Sequence, residues 1–232
     1  MKTLLITGAS KGIGLAMARM CLADNYRVVN LSRSPAPDAG IENHAIDLSS
    51  SSAESRLKSL LGKVLEKGEI VLVHNAAKLN SDTANNTTTD DFRDIMDINL
   101  IAPHTLNQLV IPFMHTGSSI IYIGSTLSEK AVANTYSYVV SKHAMIGMMR
   151  ATCQDLAGSG IHTACVCPGF TDTEMLREHV GKDQEVLSSI AAMSTFGRLV
   201  SPIEVATTIK FAAENPVING AVIHANLGQI ES

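Results

Sequence analysis

Tyr138 and Lys142, in the run Tyr138-Val139-Val140-Ser141-Lys142, are the pair most able to do chemistry. Spaced one helical turn apart, they would lie one above the other on the same face of a helix. A free phenol has a pKa of about 10 and is a poor base at neutral pH. An ammonium about 4 Å away favours the phenolate by about 4 kcal/mol at an effective dielectric of about 20, which is about three pK units. Such a shift would bring the phenol toward working pH, where proton exchange is most efficient. The spacing is short and also fits a packed tyrosine beside an exposed lysine. The rest of the chain has to decide.

The elements that must position this pair begin at the N-terminus. Lys2–Thr7 reads as an apolar strand, followed by Gly8-Ala9-Ser10-Lys11-Gly12-Ile13-Gly14 and a helical pattern through Ala23. A strand, a glycine loop and a helix form a phosphate site, because the glycines admit close backbone approach and the helix start offers free N–H groups. The spacing is Gly-x-x-x-Gly-x-Gly rather than the general dinucleotide fingerprint. A second strand, Arg27–Leu31, ends in Ser32-Arg33. In a dinucleotide fold an acid at this place accepts hydrogen bonds from the 2′-hydroxyl of NAD. Here Arg33 stands instead, with Lys11 as a second cation, and a guanidinium grips a 2′-phosphate. NADP(H) is therefore the expected cofactor, ahead of NAD(H).

Further strands are expected at His44–Leu48, Ile70–His74, Ser119–Gly124, Ile161–Cys167 and Ala221–Ala225, with a helix over Ser52–Glu66. Strands alternating with helices predict a parallel sheet covered on both faces, in one domain over residues 1–232. Asn80–Asp90 reads as a loop. Asp91–Met114 has a long helical period interrupted by Pro103, which has no N–H for the carbonyl of Asn99. The proline is either a kink or a device that frees that carbonyl for a water. Ser125 ends its strand at the carboxyl edge, where ligands gather in such sheets, although turn-forming is the commoner role of a serine there.

Composition narrows the classes. A chain of 232 residues with 45% hydrophobic and 17% charged residues suits a globular protein with a sizeable core. A net charge of −4 argues against a nucleic-acid partner held by phosphate neutralisation. No apolar run approaches the span of about 18 residues needed to cross a membrane. A soluble, cytoplasmic protein is expected. Cys21, Cys153, Cys165 and Cys167 read as reduced packing residues. No metal site is expected, because the histidines show no tight ligand spacing. Neither a metal hydrolase nor a serine hydrolase is expected.

Thr7-Gly8-Ala9-Ser10-Lys11-Gly12-Ile13-Gly14, Asp47, Asn75-Ala76-Ala77, Asn99, Ser125, Tyr138-x-x-x-Lys142 and Pro168-Gly169 together resemble the short-chain dehydrogenase/reductases over nearly the whole chain. The resemblance implies a Rossmann-like, doubly wound sheet of seven parallel strands in three αβα layers. It implies a nicotinamide cofactor bound by Gly8, Ser10, Lys11, Gly12, Ile13, Gly14, Arg33, Asp47, Leu48, Asn75, Ala76, Ala77, Tyr138, Lys142, Pro168, Gly169, Thr171 and Thr173. Asn99, Ser125, Tyr138 and Lys142 would be catalytic. Tyr138 would exchange a proton with a carbonyl or secondary alcohol, and Ser125 would bond the reacting oxygen. Lys142 would lower the tyrosine pKa and hold the nicotinamide ribose, and Asn99 would join Lys142 to a proton relay through a water. One departure is visible, because the family's Asn-Asn-Ala-Gly reads here as His74-Asn75-Ala76-Ala77.

The same resemblance implies a homodimer or homotetramer, built in part on the apolar-rich helix Tyr136–Leu156. It also implies a substrate-covering segment at 172–200, whose Met175, Leu176, Leu187, Ile190 and Met193 would form an apolar wall. Phe196–Leu199 and Pro202–Ala206 are similar to β-ketoacyl-acyl-carrier-protein reductases. Docking an acidic carrier needs exposed bases, and His115–Ser118 and Ala157–Gly160 carry none. Two alternatives to a small-molecule carbonyl reductase stay open: a 3-oxoacyl-thioester reductase, and a non-catalytic NADP-binding regulator of the same fold.

Overall fold

A computed structural model describes residues 1–181 and 183–230. Lys182, in the expected substrate-covering segment, and the last two positions of the expected domain lie outside the described residues.

Seven parallel strands form one sheet in the order β3-β2-β1-β4-β5-β6-β7. They are β1 (Thr3–Thr7), β2 (Arg27–Ser32), β3 (Ile41–Ala45), β4 (Ile70–His74), β5 (Ser119–Ile123), β6 (His162–Pro168) and β7 (Ala221–Ala225). The central strands are buried on both faces and therefore read as unbroken apolar runs. Alternation divides their side chains between two cores. Leu4 and Ile6 face one side with Met17, Val205 and Ile209, from helices α1 (Gly12–Ala23) and α8 (Pro202–Glu214). Leu5 faces the other side with Leu57, Leu106, Met145 and Met149. These come from α2 (Ala53–Val64), α4 (Ala102–Val110) and α5 (Tyr136–Asp155). The remaining helices are α3 (Thr89–Met96), α6 (Glu174–Val180) and α7 (Gln184–Ala191).

Two expectations shift. The third strand lies at Ile41–Ala45 rather than His44–Leu48, paired with Val28–Ser32. As an edge strand it stays half-solvated, so its polar Ile-Glu-Asn-His-Ala run gives little apolar signal. Asp47 and Leu48 then follow its carboxyl end. The long helix over 91–114 is four pieces: α3, a π-helical turn at Asp97–Ile101, α4, and a 3₁₀ turn at Ile111–Phe113. Pro103 sits in the first turn of α4, where a missing N–H costs little, and the wide turn before it is closed by Ala102 N–H to the Asp97 carbonyl. This turn, not a kink alone, accommodates the proline, whose ring nitrogen offers the Asn99 carbonyl no hydrogen.

The switch point between β1 and β4, from which the chain winds to opposite edges, opens a crevice at the carboxyl ends of the strands. No helix among the described residues is long and apolar enough to cross a membrane.

Candidate active site

A crevice of about 520 Å³ runs along that edge. Of the expected site residues, Gly8, Ser10, Lys11, Gly12, Ile13, Arg33, Asp47, Leu48, Asn75, Ala76, Ala77, Ser125, Tyr138, Lys142, Pro168, Gly169, Thr171 and Thr173 line it. Gly14 and Asn99 stand behind the wall.

The glycine loop forms one end. Gly8 adopts φ +73°, a left-handed backbone that favours glycine. A Cβ on Gly14 would lie 2.4 Å from the Gly8 carbonyl oxygen and 2.5 Å from Asn75 Nδ2, so Gly14 serves close helix-to-strand packing. Asn75 supports the loop from behind: its Nδ2 donates to the carbonyls of Thr7 and Gly8 at 3.0 Å each. The Thr7 hydroxyl accepts from the N–H groups of Asn75 and Ala76 at 3.0 and 2.9 Å. Buried Asn30 accepts the Ala9 N–H at 3.0 Å and passes a bond to Asn43 at 2.8 Å. Asn30 and Asn43 escaped sequence reasoning. Polar residues inside a strand gave no motif, and the register that joins them came only with the sheet.

The start of α1 carries no side-chain cap and no acidic residue in its first turn, leaving its N–H groups for an anion. Ser10 completes a Gly8-Ala9-Ser10-Lys11-Gly12 run that also matches the Gly-x-Ser-x-Gly elbow of serine hydrolases. Its hydroxyl meets only that of Ser32, at 3.5 Å, and no histidine bonds it among the described residues.

Arg33 is exposed at the rim. Its surroundings are less purely basic than the sequence suggests. The Lys11 ammonium pairs with Glu178 of α6 at 3.2 Å. The Asp47 carboxyl is held below its usual range first by hydrogen bonds from Ser49 and then by the charges of Arg33 and Arg56. Both cations expected to be free thus have a carboxylate neighbour.

At the other end, β5 delivers Ser125 in an extended conformation, its Oγ accepting the Leu127 N–H at 3.1 Å. The Ser125 side chain and the Tyr138 phenol both line the crevice. Tyr138 and Lys142 share the inner face of α5 and are both buried. The lysine Nζ donates to the Ile123 carbonyl at 2.7 Å and lies 5.3 Å from the centre of the tyrosine ring. The two side chains therefore share one helix face as expected, but the ammonium is held by the main chain rather than at the phenol oxygen, and the electrostatics are reversed. Burial pushes the Tyr138 phenol up to about 12, against a smaller lowering by the neighbouring Ser125 side chain. Burial likewise brings Lys142 down to about 8. The expected lowering assumed a solvated ammonium close to the phenol oxygen; instead the cost of desolvating charge outweighs the pair's attraction.

Asn99 is fully buried and uses its side chain as a clamp. Its Oδ1 accepts the Lys78 N–H at 2.9 Å, while Nδ2 donates to the Lys78 carbonyl at 3.0 Å and to Ser141 Oγ at 2.9 Å. It thus ties the segment following Ala77 to α5. Lys78, whose ammonium pairs with Asp94, was not anticipated as a wall residue. Beneath the site Cys165 and Cys167 bring their sulfurs to 3.8 Å, and all four cysteines are free.

The apolar wall is formed by Leu127, Val132, Phe170, Met175, Leu176 and Val180. Leu187, Ile190 and Met193 do not line it. The stretches His115–Ser118 and Ala157–Gly160 precede β5 and β6 and meet through Gly117 N–H to the Gly160 carbonyl at 2.9 Å. They therefore sit at the opposite edge of the sheet, and their lack of bases bears on nothing at the crevice.

A family model described as enoyl-(acyl carrier protein) reductase matches residues 8–229. The 3-oxoacyl-[acyl-carrier-protein] reductase FabG of Salmonella typhimurium is 30% identical, with 98% of this chain and 96% of the relative covered. Ipsdienol dehydrogenase of Ips pini is 28% identical over 94% of this chain and 92% of its own. The solved structure of the ligand-free aldohexose dehydrogenase of Thermoplasma acidophilum superposes with a TM-score of 0.89 at 27% identity, covering 98% of this chain and 93% of that one.

Proposed function

The chain belongs to the short-chain dehydrogenase/reductase family of oxidoreductases, and on that premise we propose that it interconverts a carbonyl and a secondary alcohol with NADP(H), Tyr138 exchanging the proton. The observation that carries this reading is that Ser125 and Tyr138 stand together in the wall of a crevice whose other end is an uncapped glycine-loop helix.

The residues fit a dinucleotide. The N–H groups at the start of α1 suit its phosphates. A Cβ on Gly12 would press against Thr173 Cγ2 at 3.3 Å, so the loop leaves no spare room there. Arg33, with Lys11, favours a 2′-phosphate. Asp47 and Leu48 would flank the adenine end, and Pro168, Gly169, Thr171 and Thr173 the nicotinamide end. When bound, the nicotinamide supplies or accepts hydride at the reacting carbon.

The chain's own groups do the rest. A phenol kept protonated by burial is a proton donor, and Ser125 holds the carbonyl oxygen against it while negative charge develops there. Lys142, fixed by the Ile123 carbonyl, places a cation behind the phenol and favours its ionised form after the proton leaves. Asn99 keeps the segment after Ala77 and Ser141 in register with this face. The wall of Leu127, Phe170, Met175 and Leu176 suits a carbonyl on an apolar frame.

A 3-oxoacyl thioester is the second reading, favoured by the near full-length similarity to a carrier-protein reductase. A homodimer or homotetramer is proposed as the assembly. The outer face of α5 offers exposed Ala144, Gly147 and Ala151 for close helix approach, and a sedimentation run returning only a 24.7 kDa species would refute it.

The test is a spectrophotometric screen of ketones, β-ketoacyl thioesters and secondary alcohols with NADPH, NADH and their oxidised forms. Turnover of at least one carbonyl, faster with NADPH, is expected. Tight NADPH binding without turnover of any compound would favour the non-catalytic regulator.

A further inference from the structure

Tyr138 is the third residue of α5, so the first turn of that helix sets where the phenol points. That turn lacks the usual means of closing itself. Its N-cap residue Thr135 makes no side-chain capping bond, the first turn holds no acid, and the Thr135 hydroxyl donates instead to the Val132 carbonyl at 2.9 Å. Helix starts with unmet N–H groups fray unless another part of the chain supplies acceptors.

Asp82 supplies them from a distant loop. Its carbonyl accepts the Tyr136 N–H at 3.2 Å, and its carboxylate Oδ1 accepts the Ser137 N–H at 3.1 Å. Its own N–H donates to the Asn134 carbonyl at 3.1 Å, completing a parallel bridge between Asp82 and Thr135. Asp82 is 7% exposed, and its Oδ2 is buried with no partner among the described residues. A carboxylate is costly to bury with so few bonds. The positive end of α5 offsets that cost and strengthens the bond to Ser137. The loop that carries Asp82 is the one whose earlier part, Asn75 to Leu79, lines the crevice.

We infer that Asp82 is a positioning residue for proton exchange: by capping α5 from the loop, it fixes where the Tyr138 phenol points in the crevice wall it shares with Ser125. The inference rests on the proposed role of Tyr138. It assigns to a loop acid with no motif of its own the task of coupling the cofactor-side wall to the proton donor. The rival role is a charge acting on a ligand through the free Oδ2, since Asp82 also lines a polar cavity of about 690 Å³ beside the crevice.

The two roles separate in a pair of variants. Asp82→Asn keeps an acceptor for the Ser137 N–H but loses the charge, whereas Asp82→Ala loses both. With the carbonyl found in the screen, Asp82→Ala is expected to lower kcat about tenfold or more, the scale of a misplaced catalytic group. NADPH affinity, read by fluorescence titration, and substrate KM should stay near wild type, and Asp82→Asn should restore most of kcat. Independently of turnover, the carbon-13 signal of the Tyr138 ring Cζ, assigned by its loss in Tyr138→Phe, should move in Asp82→Ala and stay in place in Asp82→Asn. Undiminished kcat and an unmoved signal in Asp82→Ala would overturn the inference. So would equal loss in both variants, or NADPH affinity falling in step with kcat. A wild-type protein without turnover would instead count against the proposed function, and the carbon-13 signal would still decide the role of Asp82.

Discussion

The ammonium of Lys142 stands 5.3 Å from the centre of the Tyr138 ring and gives its hydrogen bond to the Ile123 carbonyl, at 2.7 Å. It is thus held by the main chain under the aromatic face, not at the phenol oxygen. Burial governs both groups, raising the phenol to about 12 and lowering the amine to about 8. Across the working range the tyrosine stays protonated, ready to give a proton, and of this pair it is the lysine that titrates.

The pH dependence of reduction should therefore report Lys142. With its value lowered to about 8, the amine is charged below that pH and neutral above it, so kcat/KM is expected to fall as pH rises through about 8. Lys142→Arg keeps a cation at all these values and should lose that limb, whatever its absolute rate. A limb unchanged in the arginine variant would assign the titration to another group.

Tyr138→Phe should leave NADPH binding near wild type while removing the proton donor. A loss of kcat of about two to four orders of magnitude is expected, the range of general acid–base catalysis. Ser125→Ala should lose about two orders, as a single oxygen-stabilising donor does. Stopped single-turnover assays at saturating NADPH separate these from binding defects. More than a few per cent of activity remaining in Tyr138→Phe would remove the tyrosine from its role.

Cofactor preference rests on cations that share their charge with neighbours. Arg33→Ala is expected to raise KM for NADPH about tenfold, the scale of one lost charge-assisted bond, and to leave KM for NADH unchanged. Glu178→Gln should act in the opposite direction, because it releases Lys11 from its exposed ion pair. The gain should be small, about twofold, as such pairs contribute little in water. Equal use of both nicotinamides by the wild-type enzyme would end the assignment.

The parallel architecture and a few of the crevice residues were legible because they follow from periodicity and from residues whose chemistry is local; most of the remaining lining was legible only through the family resemblance. Glycine spacing, strand-end Arg33 and Ser125, and the pair one helical turn apart are such features. What escaped depends on sheet register or on burial. Asn30 and Asn43 meet only when β2 lies beside β3, and Asp82 becomes a cap only when its loop folds onto α5. Edge strand β3 was set too late because its polar side chains carry no apolar period. The sign of the Tyr138 shift was misread because desolvation is a property of the folded interior that spacing does not contain.

His74 leads to a prediction about stability. It stands where the resembled family carries asparagine, and it is buried at 2% exposure against Tyr122, ring centres 4.9 Å apart. Its Nε2 meets Asn107 Oδ1 at 2.8 Å, and the chain continues from Asn107 Nδ2 to the Tyr122 hydroxyl at 2.7 Å and on to Thr152 at 3.1 Å. Its Nδ1 has no partner among the described residues. Burial lowers its pKa from 6.5 to about 4, opposed by the bond to Asn107. Between those values the unfolded chain binds more protons than the folded one, so stability rises with pH across the window. The contribution is complete above pH 6.5 and is lost as pH falls through about 4. The shift corresponds to about 3 kcal/mol, from the cost of charging a buried imidazole. Urea midpoints measured on both sides of this window should fall more steeply for wild type than for His74→Asn, whose amide does not titrate. If both proteins lose stability in parallel, the acid sensitivity belongs to the carboxylates that protonate over the same range, and the buried imidazole is not what limits the fold.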